Sequence, residues 1–169
     1  MKGYTTVAFL VDTNLLVYIH DPRFPAKQTA AGRLLRRGIA TGDAVLPYQA
    51  VVEFMAAVTR PLPHGGPPLL PPMEAARVVE EWLSLFPVVY PTEGMIRLAV
   101  RGGAAYQLNW FDALIWAYAE HYGIPELWSE DFQHGRLYGT VRTVNPFLPT
   151  VVQRSSKTAG QTGHDKAGT

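Results

Sequence analysis

The run Val7-Ala8-Phe9-Leu10-Val11 is apolar at every position and stops at Asp12-Thr13-Asn14. A strand with one wet face alternates apolar and polar residues, because successive side chains point to opposite sides of the sheet. A strand without alternation is buried on both faces, as strands are in a parallel sheet covered by helices. A second apolar stretch, Leu15 to Ile19, resumes directly after the polar break. The order is therefore buried strand, polar turn, short helix.

The same order repeats along the chain. Residues 26–39 carry Ala31, Leu34, Leu35 and Ile39 on one helical face, with Arg33, Arg36 and Arg37 elsewhere on that helix. Asp43 to Leu46 is a short strand closed by Pro47. Tyr48 to Arg60 is helical, with Val51, Val52, Met55, Ala56 and Thr59 on one side. Residues 61–72 are rich in Pro and Gly and form a loop. Met73 to Leu85 returns to helix, and Pro87 to Tyr90 is a strand. Thr92 opens another helix, with Glu93 in its first turn and Arg97 and Arg101 one turn apart. Asn109 to Tyr122 is the most regular helix, ended by Gly123 with Pro125 beyond it. Glu126 to Trp128 and Val141 to Val144 are further strands. Five strands separated by helices define an α/β fold with a parallel central sheet covered by helices. After about Pro149 the composition turns to Ser, Thr, Gly, Lys and Gln, which suits a flexible tail.

Composition excludes several classes of function. The 169 residues suit one domain, and 47% hydrophobic residues supply a substantial core. The charged fraction, 17%, is low for a fully solvated surface and points to an added buried interface. Formal net charge is +1. The tail holds Arg154, Lys157 and Lys166 against Asp165, which leaves the body nearly neutral with 12 of the 15 basic and 13 of the 14 acidic residues. A strongly basic nucleic-acid footprint is therefore absent, and phosphate binding would need a local patch or a metal. With no cysteine, disulfides, thiolate nucleophiles and Cys-ligated zinc are excluded. The five histidines are dispersed and show no zinc spacing. The first apolar run is too short for a secretory signal and no membrane-length run exists, so a soluble cytoplasmic protein is expected.

Ligands on parallel sheets bind beyond the carboxyl ends of the strands. Asp12 and the pair Glu130-Asp131 fall at that edge, and Glu53 and Asp112 lie on helices whose first halves face it. Each acid has an ordinary explanation. Asp12 suits a helix N-cap, Glu53 a solvated helix face, and Asp112 a capping box opened by Asn109. Glu130 or Asp131 suits the first turn of a helix capped by Ser129. Spacing alone does not choose between those two. Asp112 is nonetheless the sole charge from Trp110 to Ala119, and burying a lone carboxylate is costly unless it is paired or bound to a cation. Four acids gathered at one edge would repel one another, and a hard divalent cation such as Mg²⁺ or Mn²⁺ resolves that repulsion.

At these residues the chain resembles the PIN-domain ribonucleases, and among them the VapC-type toxins of bacterial toxin–antitoxin pairs. The resemblance rests on Val-Asp-Thr-Asn at 11–14, Val-Val-Glu-Phe at 51–54, Trp-Phe-Asp-Ala-Leu-Ile at 110–115 and Trp-Ser-Glu-Asp-Phe at 128–132. It covers roughly residues 5 to 148, in order and spacing. It implies a PIN-like three-layer fold over residues 1–149, with residues 150–169 as the tail. Asp12, Glu53, Asp112 and Asp131 match the family's acidic quartet. Thr13, Asn14 and Ser129 match polar positions that orient those acids, and Glu130 stands beside them. The loop at 61–72 is longer than the family pattern needs. The resemblance further implies Mg²⁺- or Mn²⁺-dependent cleavage of RNA, a homodimer and a small inhibitory antitoxin. In that chemistry Asp12 and Asp112 would hold the principal metal, with Asp131 as a further or water-mediated ligand. Glu53 would bind a second metal or orient the attacking water, and the choice between one metal and two stays open. Arg97, Arg101, Arg33, Arg36 and Arg37 are candidate RNA contacts, each also explicable as a solvated helix face.

Two other classes remain. A phosphoryl-accepting receiver or dehalogenase-like phosphatase also places Asp after a first strand. Those families need a Lys near the phosphate, and none occurs between Lys27 and Lys157. A non-catalytic RNA- or partner-binding module would be expected to lack one or more of the acids.

Overall fold

The computed structural model describes residues 7–149. Strand β1 (Phe9–Val11) opens the sheet and is buried throughout. Helix α1 (Thr13–Tyr18) follows, then α2 (Pro25–Thr41), β2 (Ala44–Pro47) and α3 (Tyr48–Thr59). After a short 3₁₀ turn at Pro63–Gly65 come α4 (Pro72–Leu85), β3 (Val88–Val89), α5 (Glu93–Tyr106) and α6 (Trp110–Tyr122). The chain then forms β4 (Glu126–Trp128), β5 (Leu137–Tyr138) and β6 (Val141–Val144). The sheet order is β3-β2-β1-β4-β6-β5. All pairings are parallel except β5 with β6, a tight antiparallel edge hairpin.

The unbroken apolar run of β1 is explained by the two layers over the sheet. Phe9 and Val11 belong to a core shared with Leu15, Leu16, Leu35, Phe54 and Trp82 of α1 to α4. Leu10, between them, belongs to a second core with Met95 and Ala99 of α5 and Ala113, Ile115 and Trp116 of α6. The expected three-layer α/β architecture therefore holds, with six strands where five were expected. The added strand is β5.

Packing inside α3 departs from expectation. The buried stripe is Ala50, Phe54 and Val58, spaced four apart, while Val52 is exposed. The tail expected over 150–169 lies outside the described residues. Among the described residues no helix is long and apolar enough to cross a membrane.

Candidate active site

Asp12 ends β1 and caps α1. Its Oδ1 accepts from the Thr13 backbone N–H at 2.6 Å. Its Oδ2 accepts from the Ser129 hydroxyl at 2.5 Å and from Asn14 Nδ2 at 3.3 Å. The capping explanation is thus realised together with placement at the sheet edge. Only 6% of Asp12 is exposed. Burial drives its pKa up to about 7, opposed by the Ser129 hydrogen bond and reinforced by the charges of Asp131 and Glu53.

Asp131 stands two residues past Ser129, in the turn after β4. Its backbone N–H donates to Ser129 Oγ at 3.0 Å, and its Oδ2 accepts from Asn14 Nδ2 at 3.0 Å. Asn14 and Ser129 therefore tie the β1 and β4 ends together through Asp12 and Asp131. Because β1 and β4 are parallel neighbours, residues 115 apart in sequence meet at one edge.

Glu53 projects from α3 toward that edge. Thr13 Oγ1 donates to its Oε2 at 2.7 Å and Gln49 Nε2 to its Oε1 at 2.7 Å. Asp112 sits in the first turn of α6. Asn109 Nδ2 donates to Asp112 Oδ2 at 2.5 Å, while Asn109 Oδ1 accepts the Asp112 backbone N–H at 3.0 Å. Burial first, then the charge of Asp131, raises the Asp112 pKa, with Asn109 pulling it down and Glu53 adding a smaller rise.

All four acids line one open cavity of about 750 Å³, together with Thr13, Gln49, Arg60, Asn109 and Phe111. The four acids, Thr13, Asn14 and Ser129, expected at one sheet edge, lie together there. Glu130 does not join them. That carboxylate accepts from Lys27 Nζ at 2.5 Å and from the Tyr18 hydroxyl at 2.5 Å, on the α1–α2 side of the turn. Lys27 also lies over the Tyr18 ring at 4.5 Å. Adjacent residues of a turn point apart, so Glu130 clamps the turn that carries Ser129 and Asp131.

The expected RNA-contacting arginines also lie away from the acids. Arg33 and Arg37 line a separate hollow with Trp128 and His134. Arg97 pairs with Glu93 on an exposed face of α5. Neither Arg36 nor Arg101 lines the acidic cavity. Gln49, Arg60 and exposed Phe111 are among the lining residues not expected from the sequence. For the first two, only the spacing from Glu53 is visible in the sequence. Gln49, Glu53, Ala56, Ala57 and Arg60 follow helical spacing along one stripe of α3, and every one of them lines the cavity.

The donor set suits a hard divalent cation, since every candidate ligand is oxygen. Asn14 Oδ1 and Gln49 Oε1 are, among the described residues, buried acceptors without a partner, and Asp12 and Asp112 are raised in pKa first by burial and then by neighbouring carboxylates, a cost that a cation would relieve. Among the described residues no three His, Cys, Asp or Glu side chains form a closed metal-holding group. Mg²⁺ does not need one, because it is commonly held by one or two carboxylates, retained water and substrate phosphate.

The sequence matches the PIN domain family over residues 9–139, and the chain belongs to that family. No curated protein sequence matches it. Among solved structures it is similar to a toxin–antitoxin complex from Klebsiella pneumoniae, at 18% identity and TM-score 0.57, covering 82% of this chain and 98% of that one. DNA-bound VapBC from Salmonella typhimurium is similar at 14% identity and TM-score 0.58, covering 82% and 97%. VapC20 of Mycobacterium tuberculosis, a toxin that cleaves the sarcin–ricin loop, is similar at 15% identity and TM-score 0.50, covering 71% and 87%.

Proposed function

We propose that this PIN-domain chain is a divalent-metal-dependent ribonuclease and the toxin of a toxin–antitoxin pair, acting in the cytoplasm. The observation that carries the reading is the meeting of Asp12, Glu53, Asp112 and Asp131, from four separate elements, in one cavity. The likeness to toxin–antitoxin structures supports it. The likeness to a toxin that cleaves RNA supports the substrate class.

Asp12 and Asp112 would hold the principal Mg²⁺ or Mn²⁺, with Asp131 completing the set directly or through water. The bound cation would lower the pKa of water and offset charge on the phosphate oxygens. The protein's own part is orientation. Ser129 and Asn14 fix Asp12 and Asp131, Asn109 fixes Asp112, and Thr13 and Gln49 fix Glu53. Glu53, held from both sides, would accept a hydrogen bond from the attacking water and aim it at phosphorus. No lysine lines the cavity, so the phosphatase-like alternative gains no support.

Purified chain with Mn²⁺ should cleave RNA, chelator should stop it, and Asp112→Asn prepared identically should lose at least about a hundredfold in rate. Wild-type cleavage by Asp112→Asn would overturn the site. Mn²⁺ should raise the melting temperature of wild type and do so far less in Asp12→Asn. Co-expression with a neighbouring small open reading frame should relieve growth arrest and yield a co-purifying antitoxin. Failure of both would remove the toxin reading while leaving RNA cleavage standing.

A further inference from the structure

We propose that Arg60 binds a backbone phosphate of the RNA strand beside the scissile one. The inference rests on the ribonuclease reading and adds a substrate contact to it. A cavity walled by four carboxylates repels a polyanion. A cation held by the acids offsets charge at the scissile phosphate, and the flanking phosphate still needs a partner of its own. Among the residues lining the cavity, Arg60 is the sole basic one.

Its position is set by α3. Arg60 lies seven residues beyond Glu53 on the same stripe, about 10 Å farther along the axis. Between them stand Ala56 and Ala57, whose small side chains leave a low floor over which a strand can lie. The helix ends at Arg60, which is extended at φ −80°, ψ 148°, and Pro61 prevents continuation. The side chain is exposed, and among the described residues it has no ion pair and no side-chain hydrogen bond.

Arg60 also borders a second hollow with Val17, Arg23, Leu62 and Leu69, which continues away from the acids. Arg23 is committed there, since its Nε and Nη2 both donate to buried Asp21 at 2.8 and 2.7 Å. Arg60 is thus the uncommitted guanidinium at the junction of the two hollows. A guanidinium offers a planar fork that fits phosphate oxygens in pairs. The competing explanation is local: a cation at a helix C-terminus interacts favourably with the last carbonyls. That role would affect stability and leave RNA affinity alone.

The test uses a labelled, unstructured ten-nucleotide RNA and the full chain carrying Asp112→Asn, which prevents turnover. Adding Arg60→Ala should weaken binding several-fold near 0.1 M salt. It should also reduce the slope of log affinity against log salt by about 0.7, the share of one phosphate contact on a single strand. Arg60→Lys should keep the slope and bind less tightly than the arginine. In otherwise wild-type protein Arg60→Ala should raise KM more than it lowers kcat, while the Mn²⁺-dependent rise in melting temperature persists. Unchanged affinity and slope in Arg60→Ala would overturn the proposal. So would lowered stability with RNA binding intact. If Arg60→Ala fails to fold, a slope in Arg60→Lys lower than the arginine parent's overturns it instead. Loss of slope in a protein whose wild type cleaves no RNA would sustain the Arg60 contact and sink the ribonuclease reading.

Discussion

At the scale of single residues, Asp12 couples the site to stability. Its carboxyl titrates near 7 in the metal-free fold against 3.8 ordinarily, chiefly because it is buried. Between those values the folded state binds more protons than the unfolded one, so stability falls as pH rises from about 4 to 7 and levels off above. The loss is on the order of a few kcal/mol. Chelator-treated wild type should therefore melt at a lower temperature at pH 7.5 than at pH 5, and Asp12→Asn, which cannot ionise, should show a smaller difference. Equal pH dependence in the two proteins would show that Asp12 does not carry this charge cost. The acids were legible because each interrupts or borders an apolar run. Glu130 and Asp131 could not be separated in the sequence, since the distinction depends on Lys27 and Tyr18, about a hundred residues upstream, reaching one of them. The spacing of Arg60 from Glu53 is visible in the sequence but does not mark it as part of a site. A stripe on an apolar helix acquires meaning only when another element, here the start of α6, stands opposite it.

At the scale of elements, the contact between α5 and α6 holds Asp112 in place. Gly102 permits their close approach: a Cβ there would fall 1.9 Å from Trp116 Cζ3. Trp116 cannot yield easily, because it is buried and its indole N–H donates to the Tyr138 carbonyl at 2.8 Å. Gly102→Ala should cost about 1–3 kcal/mol or more by overpacking. Gly94→Ala, whose Cβ would meet His121 at an ordinary 3.5 Å, should be near neutral. Urea unfolding of both distinguishes them, and equal midpoints would refute the packing argument. Helix ends were largely readable: Thr92 and Asn109 are N-caps whose side chains accept backbone N–H groups, and Gly123 adopts the left-handed conformation. Strand β5 was not readable, because two residues show no period and its pairing comes from a reversal at Gly139. The buried side of α3 was misplaced for a related reason. With apolar residues at nearly every position from Ala50 to Val58, composition cannot say which stripe faces the sheet.

At the scale of the whole molecule, part of the surplus of apolar surface inferred from the low charged fraction gathers beside the acidic cavity. Trp82 and Tyr106 do not belong to it, since they pack against Phe54 at 4.5 Å and Trp116 at 5.3 Å between ring centres. Exposed apolar residues are spread over the surface, Met73 at 79% among them, and one group is made of Val52 of α3, Ile96 and Val100 of α5, and Trp110 and Phe111 of α6, the last 63% exposed. Val52, Ile96, Trp110 and Phe111 line an apolar groove that shares Gln49, Glu53 and Phe111 with the acidic cavity. Leaving that apolar surface wet on a small monomer is unfavourable, and burying it between two copies is the arrangement expected of the homodimer that the family resemblance implies. Ile96 and Val100 are one helical turn apart and neither lines the acidic cavity, so Ile96→Glu with Val100→Glu places two like charges on that apolar face while leaving the residues of the site in place. Light scattering should then report twice the 18.7 kDa chain mass for wild type and the single-chain mass for the double variant. The Mn²⁺-dependent rise in melting temperature should survive in the variant. A wild-type monomer at every concentration, or a variant that remains dimeric, would place the interface elsewhere or abolish it.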